Sequence, residues 1–181
     1  MSEEKWDVVS NRVVLEHPFL TVTMEAVRLP SGQVIEEWPI VSARDYVMVV
    51  AENEAGEILI LEAYKHGPDR TSWMLVGGYL EPGEQPQAAA RRELLEEAGY
   101  ASDQWQPLGT FVVDGNRRMS TAHLFLARRA HAAEKLESDD IEQVTPRWIL
   151  TEEAASALYD GRIAIMSSAV ALALALPLLK A

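Results

Sequence analysis

Apolar and polar residues alternate from Trp6 to about Ile40, which is the period of a strand with one buried face. Turn signals at His17-Pro18 and Pro30-Ser31-Gly32 interrupt that stretch twice and predict three antiparallel strands. The pattern then changes. Tyr46 to Val50 and Ile58 to Leu61 are unbroken apolar runs and read as buried strands. Asn53-Glu54-Ala55-Gly56-Glu57 joins them as a hairpin-type connection. After the turn Glu81-Pro82-Gly83-Glu84, a helix is predicted from about Pro86 to Ala98. Pro86 suits its first turn and Gly99 its C-terminal cap. Gln104 to Val113, Ala122 to Ala127 and Arg147 to Leu150 read as further strands. Thr151 is placed to cap a second helix, and a last helix is expected from about Ser167 to Leu176. Strands mixed with a few helices, one central and two C-terminal, predict an α/β layered domain preceded by a small strand-rich segment.

Composition changes this picture in three ways. The chain has 181 residues, enough for one domain with a sizeable core and a small appendage. It has no cysteine, which removes disulfides and thiolate metal sites and fits a reducing cytoplasm. Its formal net charge is -12 with no segregated basic run, so nucleic acid is not an expected partner. The acidic start Met1-Ser2-Glu3-Glu4-Lys5 is unlike a signal peptide. The apolar stretch Ile163 to Leu179 is broken by Ser167, Ser168 and Pro177. It reads as a buried or dimer-facing helix rather than a membrane anchor.

Around the central helix the spacing becomes chemically specific. Gly78 is followed after five residues by Glu84, and after seven more by Arg92-Glu93-Leu94-Leu95-Glu96-Glu97-Ala98-Gly99-Tyr100. On a helix Glu93, Glu96 and Glu97 fall at i, i+3 and i+4 and share one face. Carboxylates so close repel one another, and a cation gathering them reverses the penalty. Hard divalent ions prefer oxygen ligands, which favours Mg²⁺ and then Mn²⁺. A solvated acidic face is the plain alternative, but the neighbours argue for a metal. Arg92 and Glu96 form an i, i+4 pair, and the arginine can hold a carboxylate bidentately. Gly77-Gly78 lets the backbone approach a metal or phosphate closely.

This arrangement resembles the signature of the Nudix hydrolases at seven fixed positions and both apolar ones. Seven identities at set spacing arise by chance on the order of once in 10⁸ starting points. The resemblance implies a Nudix-type α/β/α sandwich with a mixed sheet, residues 43–181, preceded by an antiparallel N-terminal strand module, residues 1–42. It implies hydrolysis of a diphosphate by a metal-activated water. Carried over by position, Glu93, Glu96 and Glu97 are metal ligands together with the Gly77 carbonyl. Glu84 and Arg92 orient the helix and its glutamates, and Glu84 can also reach a metal.

Beyond the signature, the strand module, the segment Glu62-Ala63-Tyr64-Lys65-His66-Gly67 and Gly161-Arg162-Ile163 before an apolar helix resemble the ADP-ribose pyrophosphatase branch. That resemblance implies a homodimer and a nucleotide-containing substrate: ADP-ribose or a related nucleoside diphosphate sugar. A dinucleotide cofactor, GDP-mannose, or a non-catalytic ligand-sensing role are the alternatives. Trp38 sits where the branch stacks an aromatic on the base, and a core or interface tryptophan is the competing reading. Arg44, Lys65 and Arg117 are further candidate substrate contacts. His66 and His123 are possible substrate contacts but read more readily as structural, and the pair Arg117-Arg118 reads equally as a phosphate or ribose contact or as a solvated pair. Asp140 and Glu142, on an acidic loop, are candidates for a distal catalytic acid, or else belong to a loop without a role. Three departures from the branch stand out. Met74 replaces a glutamate, Lys65 replaces an arginine and loses its fork geometry, and Asp114-Gly115-Asn116 stands where a proline is expected after the box.

Overall fold

A computed structural model describes residues 5–134 and 144–179. The chain forms two compact units, Met1–Asp45 with Phe111–Thr121, and Tyr46–Thr110 with Ala122–Ala181.

In the first unit, β1 (Asp7–His17), β2 (Leu20–Arg28) and β3 (Val34–Ala43) form an antiparallel meander. Register shifts interrupt β1 between Val8 and Ser10 and between Val13 and Leu15. Such bulges increase local twist. Gly32, at φ +86°, closes the β2–β3 turn and donates to the Leu29 carbonyl at 2.9 Å. The outer edge of β3 is covered by the segment after Asp114. The Val41 and Ala43 amides donate to the carbonyls of Arg117 and Met119 at 3.0 and 2.7 Å.

The second unit is built on β4 (Tyr46–Ala51), β5 (Glu57–Lys65) and β6 (Arg70–Met74), followed by α1 (Pro86–Ala98). Then come β7 (Tyr100–Ala101), β8 (Gln104–Val112), β9 (Thr121–Arg128), β10 (His131–Ala132) and β11 (Thr145–Leu150). The helices α2 (Thr151–Ala157) and α3 (Met166–Leu179) end the described chain. The sheets are mixed: β4 runs parallel to β9, pairing Val49 with Phe125, while β5 lies antiparallel between β11 and β6. Alternation along β4 separates two cores. Val47, Val49 and Ala51 pack with Ala89, Ala90 and Leu94 of α1. Met48 and Val50 pack with Ala171, Leu172 and Ala175 of α3. Helices therefore cover both faces, the expected α/β/α layering. Burying a side chain such as Leu94 or Leu172 contributes roughly 1.5–3 kcal/mol.

Three local expectations need correction. Thr151 is the first residue of α2 rather than its cap, and its hydroxyl donates to the Gly56 carbonyl at 2.8 Å. The strand Arg70–Met74 is an addition, recruited by pairing with Leu61–Lys65. The last helix runs past Pro177 to Leu179, and the Arg128 guanidinium donates to the Leu178 carbonyl at 2.6 Å. That contact satisfies a terminal acceptor that the helix cannot satisfy itself. Among the described residues no helix is long and apolar enough to cross a membrane.

Candidate active site

Helix α1 starts with Pro86 at its first position, where no amide is needed, and ends at Gly99, whose φ of 73° makes the left-handed cap. Ala89, Ala90, Leu94 and Ala98 face the core. That leaves Arg92, Glu93, Glu96 and Glu97 turned towards the segment Val76–Tyr79. This segment is tied to β4: the Val47 amide donates to Gly78 and the Val49 amide to Val76, at 2.9 and 2.8 Å. Here the two glycines have steric reasons. A side-chain carbon on Gly77 would strike the Val47 carbonyl, and one on Gly78 would land on the Glu93 carboxylate.

Arg92 organises the acidic groups. Its Nε and one terminal nitrogen grip Glu84 bidentately, both at 2.9 Å. The other terminal nitrogen donates to Glu93 at 2.8 Å and to Glu96 at 3.0 Å, and a fifth bond reaches the Tyr79 carbonyl at 3.1 Å. Every N–H of a guanidinium is thus used. The Arg92 bonds hold the Glu84 carboxyl below the usual carboxylate range against the opposing effect of burial, helped by the Glu81 amide. The same bonds, Glu84 first, hold Arg92 far above its ordinary value. Glu93 is buried at 8% exposure, and Glu97 accepts the Gly77 amide at 3.0 Å. Three carboxylates thus share the Arg92 guanidinium, and a fourth, Glu97, lies on the neighbouring Gly77 amide.

The remaining candidates divide between the units. Lys65, at the end of β5, lines a cavity of about 300 Å³ that also meets Gly77, Gly78 and Glu97. Trp38, Arg44 and Arg117 belong to the first unit. The Trp38 indole N–H donates to the Asn116 carbonyl at 2.9 Å, and its ring meets Trp6 edge to face with centroids 5.4 Å apart. Arg44 and Arg117 are exposed. The Arg117 amide donates to Asp114 at 2.9 Å, and Arg118 pairs with Glu25 at 3.2 Å. His123 contacts Thr110 at 3.2 Å. Asp140 and Glu142 lie outside the described residues. Sequence reasoning passed over Tyr46 and Ser167, which line the cavity. Tyr46 was hidden in an apolar run, and Ser167 was read only as a break in one.

A family model described as NUDIX domain matches residues 43–167, more than half of the chain. This chain belongs to the Nudix family. A second model, the nucleoside diphosphate sugar hydrolase N-terminal domain, matches residues 6–41. Among similar proteins is the CMP-5'-(N-acetyl-N-hydroxy-3-aminopropyl)phosphonate hydrolase of Streptomyces rubellomurinus, 30% identical over 93% of this chain and 81% of its own. The ADP-ribose pyrophosphatase of Bacillus subtilis is 29% identical over 84% of this chain and 81% of its own. The ADP-ribose pyrophosphatase of Mycobacterium tuberculosis is 28% identical over 90% and 79%. A crystal structure of an ADP compounds hydrolase shares the fold, with a TM-score of 0.85 at 21% identity over 99% of this chain and 97% of that one. The protein is a Nudix pyrophosphohydrolase.

Nudix hydrolases generally use divalent metal ions. The chemistry of the donors here suits such an ion: glutamate oxygens and a glycine backbone, all hard ligands, in a negatively charged setting. Among the described residues no three acidic or imidazole groups converge as a ready-made metal site. Arg92 holds Glu93 and Glu96, while Glu97 accepts the Gly77 amide.

Proposed function

We propose that this Nudix enzyme hydrolyses the diphosphate bond of ADP-ribose or a related nucleoside diphosphate sugar, giving a nucleoside monophosphate and a sugar phosphate. The observation that carries this reading is the order of the two family matches, a nucleoside diphosphate sugar hydrolase N-terminal domain at 6–41 followed by the NUDIX domain at 43–167. The names of the Bacillus and Mycobacterium relatives support it.

Mg²⁺, with Mn²⁺ as a substitute, would be held by Glu93, Glu96, Glu97 and the Gly77 carbonyl, with Glu84 within its reach. When bound there, such an ion would supply an activated water and would neutralise charge developing on the diphosphate. Arg92 is the positioning residue, and its five bonds fix where the glutamates start. Asp140 or Glu142 would supply the distal base. Trp38 would stack on the nucleobase, while Arg44, Lys65 and Arg117 would contact phosphate or ribose. The strand module, residues 1–42, would join two copies of the cytoplasmic enzyme. Every residue of β1 is exposed, Val8, Val9, Val13, Val14 and Leu15 among them, which supports a partner there.

A second substrate, a CMP-linked phosphonate, is favoured by the likeness to the Streptomyces relative across 93% of the chain. The test is a panel of nucleoside diphosphate compounds with Mg²⁺, scored for nucleoside monophosphate release, beside Glu97→Gln. Release from a sugar-linked compound, abolished in the variant, is expected. Full activity in Glu97→Gln, or no cleavage of any diphosphate, would sink the proposal.

A further inference from the structure

The cavity next to the glutamates has walls with no part in the metal chemistry. Its volume, about 300 Å³, lies at the low end of the roughly 300–1,000 Å³ typical of small-molecule sites. That is room for one ring within the cavity itself. The cavity is bounded by the start of β4, the end of β6 and the start of α3, and it shares Gly77, Gly78 and Glu97 with the acidic site. A group attached to a phosphate at Glu97 would therefore extend into it.

The lining has a definite chemistry. Met48 and Met74 are buried and give it apolar walls. Thioethers pack well on flat or irregular apolar faces. Tyr46, on the same face of β4 as Met48, and Ser167 at the start of α3 also line it and bring hydroxyls. Burial holds the Tyr46 phenol above its ordinary value, so this edge stays neutral and offers hydroxyls. Among the described residues, Lys65 and Glu97 are the charged side chains of the lining. The walls are also fixed in advance. Ser168 is fully buried, and its hydroxyl accepts the Leu75 amide at 3.2 Å, fastening the first turn of α3 to the chain just after β6.

We infer that this cavity receives the group carried on the diphosphate, that it selects a single uncharged ring with one apolar face, and that Tyr46, Ser167 and Met74 set this preference. The inference rests on the diphosphate-hydrolase reading above. A further phosphate on the ring would have to compete with the diphosphate for Lys65 or lie against methionine, and burying a poorly paired charge is costly. A dinucleotide would have to leave its second nucleoside outside.

The test compares ADP-ribose, an ADP-hexose, ADP-ribose phosphorylated on its terminal ribose, and a dinucleotide. KM and kcat are measured separately with Mg²⁺, and calorimetry supplies Kd for any compound not cleaved. The single uncharged rings should be favoured by about tenfold or more in KM or Kd, the scale of discrimination one pocket contact gives. Tyr46→Phe should raise KM for those rings severalfold and narrow the gap while kcat moves less. Met74→Lys, which would give a phosphate on the ring a cationic partner, should narrow it further. Because a buried lysine can disturb folding, circular dichroism accompanies Met74→Lys, and the near-isosteric Tyr46→Phe carries the decision if that variant is unfolded. Equal KM across the panel, or a gap untouched by Tyr46→Phe, overturns the inference. Ordered Kd values that Tyr46→Phe levels, without cleavage of any compound, would support the pocket and overturn the hydrolase reading instead.

Discussion

Replacing Arg92 by alanine removes five hydrogen bonds at once and leaves three glutamates without their shared cation. Hydrogen bonds to charged groups contribute roughly 1.5–3 kcal/mol each in isolation. Their simple sum overstates the loss, because the released groups relax. Glu96, with 27% of its side chain exposed, can turn to water. Glu93, at 11%, is confined against Gly78 and cannot. Losing the Arg92–Glu93 bond at this confined carboxylate, together with the Glu84 anchor, should destabilise the metal-free protein by about 3 kcal/mol. For a chain of this size that lowers Tm by roughly 6–12 °C. Arg92→Lys keeps the charge but offers three donors where five are used, so it should recover less than half of the loss. Thermal and urea denaturation in EDTA measure both variants. If Arg92→Ala matched the parent protein within about 0.5 kcal/mol, the glutamates would not depend on Arg92, and its role as organiser of the site would be refuted.

Gly78→Ala places a methyl group on the Glu93 carboxylate and should lower kcat about 100-fold or more, as displacement of a catalytic group by an ångström does; steady-state kinetics beside a denaturation curve would show whether the loss exceeds that of stability. Trp38→Ala should raise KM for the nucleotide more than it lowers stability, and an unchanged KM would return the ring to a structural role with Trp6 and Asn116. Light scattering should give about twice the 20.1 kDa chain mass, and a monomer at working concentration would contradict the dimer.

Much of the second unit was legible because its signals are local. Pro86 and Gly99 bracket α1 in the sequence as they do in space. The row of glutamates follows from helical spacing alone. Other features depend on distant partners. Arg70, Thr71 and Ser72 carry no strand pattern, and they are extended because Lys65, Tyr64 and Ala63 pair with them. Thr151 has the chemistry of a cap, but its hydroxyl finds Gly56, 95 residues away in sequence. Pro177 suggested a helix end, and Arg128 from β9 holds the turn beyond it. The glycine pair was legible as a close approach of the backbone. That the partner of Gly78 is Glu93 itself required the fold. The cavity was the least readable part, since Tyr46, Met74 and Ser167 come from three separated segments.

The alternation along β4 bears on how such an enzyme can diversify. Neighbouring residues of this one strand answer to different constraints. Val47 and Val49 support the helix that carries the glutamates, whereas Tyr46 and Met48 face the cavity. Of the second set, Tyr46 at the strand's start is the position whose change would alter which compounds are accepted, whereas Met48 also packs beside α3 and lies against Gly77, and the first set supports the hydrolytic apparatus. An insertion or deletion of a single residue in β4 would exchange the two sets and end both properties together.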